Sequence, residues 1–192
     1  QRGKVDAFRE LGRYAAVRVT TLYQEEQLGD GHAVLQAPAW VHSDPVAGLF
    51  GDDLIIGKTS GLEQLVSAYT GLSEGSILLC LEDVPRESVQ KYGIVAIDPT
   101  QSKGRLRRVT GLVEKPAPEA APSTLCIVGK YLIPRTTFDI LQSFQLSAFS
   151  FQKELRLIDA FHTQLPTTHI YGYEVEGKRI DTGTPDGYRH AV

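Results

Sequence analysis

Two periods of apolar spacing alternate along the chain. Val5, Phe8 and Leu11 recur every three residues, the stripe of a short amphipathic helix over 5–14. The next run, 15–23, is β-branched and aromatic with Val17, Val19 and Thr21 in phase, and predicts a strand. A polar connection leads to GDGHAVLQA, where two glycines flank Asp30 and a helix is expected from His32 to about Ala39, ending near Trp40. A short buried strand is predicted over 46–50. A capping box, Ser60 with Glu63, opens a helix to about Ala68, and a wholly apolar strand follows over 76–81. Pro85 starts a short helix over 84–92, which Gly93 closes before a strand at 94–98.

The second half is organised by GLVEKPAPEAAPSTLCIVGKY at 111–131, two apolar runs joined by a Pro/Ala bridge. Residues 100–108 form a loop or hairpin leading into it. Lys115 precedes Pro116, so its backbone is expected to be extended. Helices are predicted over 134–144, with Phe138 and Leu141 inward, and over about 151–164, with Leu155 or Leu157, Ile158 and Phe161 inward. Residues 170–180 read as two short strands paired across a turn at Glu176 and Gly177, and Thr184 with Pro185 opens a last helix. Strands alternating with helices predict an α/β fold: three layers around a mostly parallel, Rossmann-like sheet, its apolar strand at 76–81 flanked by parallel neighbours.

The 192 residues, 42% hydrophobic and 22% charged, suit one domain with a sizeable core. A net charge of -3 without a basic run gives no long-range attraction for nucleic acid or anionic lipid, so a small-molecule partner is expected. No apolar segment is long enough to span a bilayer, and no membrane partner is expected. Cys80 and Cys126 lie inside apolar runs without metal-ligand spacing, which fits core thiols in a reducing, cytoplasmic setting. There is no methionine, the chain opens on Gln1, and it ends soon after Thr184, so the domain is expected to be incomplete at both ends.

Candidate chemistry gathers at strand ends. Glu114 and Lys115 set an acceptor beside a cation, suited either to a polyol and its phosphate or to a solvated strand end. Asp52 follows a strand where open α/β sheets bind ligands, and reads as a metal ligand or a turn cap. Asp181 reads as a second metal ligand or a helix cap. A glycine turn feeding a helix lets a ligand approach the backbone at Gly31, with His32 beside it; most such turns are only turns. The other histidines, His42, His162, His169 and His190, show no triad or metal grouping, there is no Gly-x-Ser-x-Gly elbow, and Asp159 reads as a helix-surface or ion-paired acid.

Several of these pieces, in the same order, resemble the bacterial UTP–glucose-1-phosphate uridylyltransferases. Gln24 followed by LGDGHAVLQA is similar to that family's Gln and Gly-Leu-Gly-His-Ala-Val segment, GDDLI to its Pro-Asp-Asp/Val-Leu-Ile, YGIV to its Tyr-Gly-Val-Val, ELRLIDA to its Glu-Ile-Gln-Leu-Thr-Asp-Ala, and EGKRIDTGTPDGY to its Glu-Gly-Lys-Arg-Tyr-Asp-x-Gly run. VEKPAPEAAPSTLCIVGKY matches its signature region. The resemblance implies a sugar nucleotidyltransferase fold and the reaction of UTP with glucose 1-phosphate to UDP-glucose and pyrophosphate. It implies that Gln24 and Gly31 face the uracil, His32 supports the nucleotide, Asp52 and Asp181 hold Mg²⁺, Gly93 packs on the glucose, Glu114 takes its hydroxyls and Lys115 its phosphate. Asp52 and Lys115 would then be catalytic. Homo-oligomers are common in the family.

The departures are as specific. Asp30 stands where the family has leucine and Gly51 where it has proline, and the Gly-x-Gly-Thr-Arg triphosphate loop has no counterpart here, so the chain by itself is expected to be inactive. The rival readings are a thymidylyltransferase of the same fold and a non-catalytic sugar-nucleotide binding module.

Overall fold

The computed structural model describes residues 12, 14–38, 41–148 and 154–191. The expected helix over 5–14 and the opening of the one at 151 fall largely outside them. In chain order the elements are α1 (Asp30–Val34), β1 (Val46–Leu49), β2 (Asp53–Ile56), α2 (Gly61–Tyr69), β3 (Ile77–Asp83), a 3-10 turn (Arg86–Lys91), β4 (Gly93–Lys103), β5 (Leu106–Glu114), β6 (Leu125–Ile133), α3 (Thr136–Ala148), α4 (Leu157–Gln164), β7 (Ile170–Glu174), β8 (Lys178–Asp181) and α5 (Pro185–Ala191).

Six strands form one sheet in the order β1-β6-β3-β7-β5-β4, with a further bridge from β4 to β6, and β2 and β8 pair as a separate ribbon. Successive residues of β3 face opposite cores. Ile77, Leu79 and Leu81 pack with Leu141, Leu157 and Phe161 from α3 and α4. Leu78 and Cys80 pack with Leu65 of α2 and with Val89. Helices thus cover both faces, the α/β layering that the pattern predicts.

Strand direction differs from the expectation of a mostly parallel sheet. Among the described residues only β3 and β7 run parallel; β6 lies antiparallel to both β1 and β3, and β5 to both β4 and β7. An apolar run reports burial on both faces, and an antiparallel neighbour under two helix layers meets that condition as well as a parallel one.

Four local expectations are also corrected. Residues 17–24 join no ladder, and Val19 is 80% exposed, because β propensity needs a partner surface and none of the described strands lies beside it. β1 is half-buried with alternate residues inward rather than wholly buried. The segment 170–180 is no hairpin: β7 joins the main sheet while β8 crosses to β2, with Gly177 at φ 118 and the Gln64 side chain bonding both the N–H and the C=O of Glu176. The structure gives Lys115 a φ of 47 rather than an extended backbone, its N–H donating to the Tyr92 carbonyl at 3.0 Å. Proline disfavours the right-handed helical region for the residue before it, and the bond to Tyr92 accompanies the left-handed turn taken here in place of an extended one.

Candidate active site

A cleft of about 330 Å³ opens where the C-terminal end of β5, the start of β4 and the N-terminal end of α4 meet. Gly93 and Glu114 are opposite one another across the β4–β5 ladder. A Cβ on Gly93 would lie 2.7 Å from Ile158 Cδ1 and 3.2 Å from Glu114 Oε2, so a side chain there would intrude on the cleft. Lys115 Nζ sits 3.6 Å from Glu114 Oε1 with its side chain 61% exposed, leaving the ammonium free to meet an anion. Gly93, Glu114 and Lys115 therefore line the same cleft. The facing wall carries Arg156, Leu157 and Ile158. Arg156 is held by two 2.9 Å bonds to Asp159, which bears out the ion-paired reading of that acid.

At the other end stands Arg179, its side chain 9% exposed. Its Nε donates to Asp53 Oδ1 at 2.6 Å, its Nη1 to Glu82 Oε2 at 3.2 Å, and its Nη2 lies 3.7 Å from Asp181 Oδ2. The guanidinium also rests 5.0 Å from the centroid of the Tyr92 ring. Burial works against its charge, yet the hydrogen bond and charge of Asp53 hold its pKa above the usual arginine value. Asp53 Oδ2 accepts from Gly129 N–H at 2.9 Å, and its carbonyl accepts from Lys130 Nζ. Sequence reasoning passed over Asp53 and Arg179. The cue was strand spacing: Arg179 and Asp181 lie two apart and share a face of β8, while Asp53, which opens β2 after the turn that holds Asp52, meets them only through the register of β2 with β8.

Asp52 and Asp181 come together, although 129 positions separate them in the chain by subtraction (181 minus 52). A Cβ on Gly183 would meet Asp52 Oδ2 at 2.7 Å and Asp181 Oδ1 at 3.2 Å, so the two carboxylates flank a space that a side chain would fill. Thr182 donates both its N–H and its hydroxyl to the Asp52 carbonyl, at 2.8 and 2.9 Å. Neither acid lines the cleft. Arg179, which touches Asp181 and lines the cleft, connects the two regions. No group of three or more His, Cys, Asp or Glu suited to a metal occurs among the described residues. Two carboxylates are nonetheless the usual protein share of a Mg²⁺ site completed by substrate phosphates and water, and the gap at Gly183 fits that donor set.

Gln24 and His32 form a third group. Gln24 Nε2 donates to the Gly29 carbonyl at 2.9 Å and lies 3.1 Å from His32 Nδ1, while Gln36 Nε2 donates to the His32 carbonyl. Gly31 packs tightly, a Cβ there meeting Leu141 Cδ2 at 2.8 Å, and its N–H is held by Asp30 Oδ1 and the Leu155 carbonyl. Of the whole turn, Asp30 is the residue that reaches the cleft. Its burial raises the carboxyl pKa above the usual aspartate value, the N–H groups of Leu157 and Gly31 opposing the rise and Glu154 adding to it.

The pattern of the nucleotidyl transferase family matches residues 1–192. The chain is 34% identical over 184 residues to the UTP–glucose-1-phosphate uridylyltransferase YngB of Bacillus subtilis, covering 95% of this chain and 60% of that protein. A UDP-glucose pyrophosphorylase crystallised with UDP-glucose superposes with a TM-score of 0.77 at 31% identity, over 88% of this chain and 62% of the other. A UTP-bound counterpart from Acinetobacter baumannii gives 0.81 at 31% identity, over 100% and 65%. The chain thus spans a little under two thirds of the length of these relatives.

Proposed function

This chain belongs to the nucleotidyl transferase family, and from that premise we propose that the protein makes UDP-glucose and pyrophosphate from UTP and glucose 1-phosphate. The observation that carries the proposal is the cleft itself: Gly93, Glu114 and Lys115 at one end, and Arg179 at the other, in contact with Asp181 of the acid pair. That arrangement suits a polyol with a phosphate whose reaction partner also carries phosphate. Relatives named for this reaction, and superposable structures holding UTP or UDP-glucose, support the same reading.

The Glu114 carboxylate accepts from sugar hydroxyls, and Gly93, having no side chain, lets the ring lie against the β4 backbone. Lys115 neutralises the sugar phosphate and holds it in line with the α-phosphorus of the nucleotide. A phosphate oxygen of glucose 1-phosphate then forms the new bond to that phosphorus. The bond from the α-phosphorus to the bridging oxygen breaks, and pyrophosphate leaves with the electron pair. Such transfers rely on alignment and charge stabilisation more than on covalent help from the protein. Asp52 and Asp181 would hold Mg²⁺, which supplies further charge neutralisation at the transferring phosphate. Gln24, Gly31 and His32 form the nucleotide side, with the Gln24–His32 contact keeping both side chains in place. The cytoplasm is the proposed setting, consistent with the free, buried thiols of Cys80 and Cys126.

The test is pyrophosphate release by the full-length protein from UTP or dTTP with glucose 1-phosphate and Mg²⁺. Release favouring UTP is expected. Preference for dTTP replaces the uridylyl reading by the thymidylyl one, and no release with either removes the enzymatic reading.

A further inference from the structure

Asp30, where the resembling family has leucine, sits on a seam between the glycine turn and the wall of the cleft formed by α4. The first N–H groups of a helix lack partners within it, and the residue before α4, Arg156, makes no side-chain cap. The Leu157 N–H instead donates to Asp30 Oδ1 at 3.0 Å, across 127 positions of sequence. The same oxygen accepts from Gly31 N–H at 2.8 Å. Two backbone bonds run alongside: Gly31 N–H to the Leu155 carbonyl at 3.0 Å, and Leu155 N–H to the Leu28 carbonyl at 2.7 Å. Residues 28–31 and 155–157 are thereby stitched together, with the Asp30 carboxylate placed at the positive end of α4.

We propose that Asp30 is a positioning residue: by capping α4 from the glycine turn, it fixes the wall of the cleft that faces Gly93 and Glu114, and so sets the affinity for the sugar phosphate. This rests on the reading of the cleft as the sugar-phosphate site. Arg156, Leu157 and Ile158 all line that wall. Ile158 Cδ1 approaches to 2.7 Å of where a Cβ of Gly93 would be, so a small shift of α4 changes the room left for a sugar ring. Leucine has no acceptor and cannot make this cap. The bonds from Gly31 and Leu157 both fall on Oδ1, an atom that asparagine retains as its amide oxygen.

The experiment uses the full-length protein and its Asp30→Asn, Asp30→Ala and Asp30→Leu variants. Binding of glucose 1-phosphate and of UTP is measured by calorimetry, and exchange of the Leu157 amide by hydrogen–deuterium exchange. Loss of a cap predicts glucose 1-phosphate affinity weakened about tenfold in the Ala and Leu variants, faster Leu157 exchange, and a smaller loss of UTP affinity, because the Gly31 N–H keeps its bond to the Leu155 carbonyl. Asparagine is expected to rescue both the affinity and the amide protection. Unchanged sugar-phosphate affinity in the Ala and Leu variants overturns the proposal. So does a loss in Asn as large as in Ala, equal weakening toward both ligands, or failure of both the Ala and Leu variants to fold. If the parent protein itself binds no glucose 1-phosphate, the reading of the cleft fails instead, an outcome already visible before any variant is compared.

Discussion

Arg179 of β8 and Asp53 of β2 are bound at 2.6 Å with both side chains nearly closed to solvent, tying the two-stranded ribbon to the main sheet through Glu82. Breaking a buried pair by removing one member strands the other charge in a poor solvent. Arg179→Met is therefore expected to lower unfolding free energy by about 3 kcal/mol in urea denaturation. Adding Asp53→Asn should restore part of that loss, because the orphaned charge goes. A single-variant loss below about 1 kcal/mol would place the pair with ordinary surface bridges.

Lys115 combines an exposed ammonium with a φ of 47, a conformation that costs a non-glycine residue about 1 kcal/mol. Lys115→Gly removes the cation and that cost together, whereas Lys115→Ala removes only the cation. Both are expected to lower kcat/KM about a hundredfold through loss of charge stabilisation. The glycine variant should be the more stable of the two in thermal melts. Equal melting points would show that the left-handed turn carries no strain.

Much of the fold was legible in the chain because the cues were local. Ser60 accepts the Glu63 N–H at 3.2 Å as the capping box requires, and the apolar run at 76–81 is a wholly buried strand. The site was legible in part. Gly93, Glu114 and Lys115 are nearly contiguous across one ladder, and the bringing together of Asp52 and Asp181 followed from the resemblance. What stayed hidden depends on long-range geometry. Strand direction is not encoded in burial, the crossing of β8 to β2 turns on one glycine and the reach of Gln64, and Arg179 finds Asp53 only because β2 and β8 pair in a particular register.

If Asp52 and Asp181 share one ion, Asp52→Asn and Asp181→Asn should each raise the Mg²⁺ concentration needed for half-maximal pyrophosphate release by at least about tenfold. The double variant should lose far less than the product of the two, since residues that act as a unit are not additive. Chelation of the parent protein is expected to abolish release, and re-addition of Mg²⁺ to restore it. Independent, multiplicative losses would assign the two acids to separate tasks.

Gly93→Ala probes the contact between the sheet and the sugar. The added methyl would press on Ile158 Cδ1, the mobile end of a side chain, so the stability cost should stay within about 1 kcal/mol. The cleft, not the core, takes up the displacement. KM for glucose 1-phosphate should therefore rise about tenfold while KM for UTP stays near its starting value. A matching rise in both would place Gly93 outside the sugar subsite.

Cys80 on β3 and Cys126 on β6 are both fully buried, and that burial pushes each thiol up to about 12. The thiolate is the reactive form, so both should resist iodoacetamide at pH 8 in the folded protein and react only as it unfolds. The same shift sets the sign of a pH effect. A pKa raised by folding contributes stability that is complete below the ordinary thiol value and is lost as pH climbs through it toward about 12. Denaturation curves across that alkaline window should fall more steeply for the parent protein than for a Cys80→Ala/Cys126→Ala variant, which has no thiol to ionise. Rapid labelling of the native protein, or parallel curves for the two proteins, would show that these thiols meet solvent without unfolding.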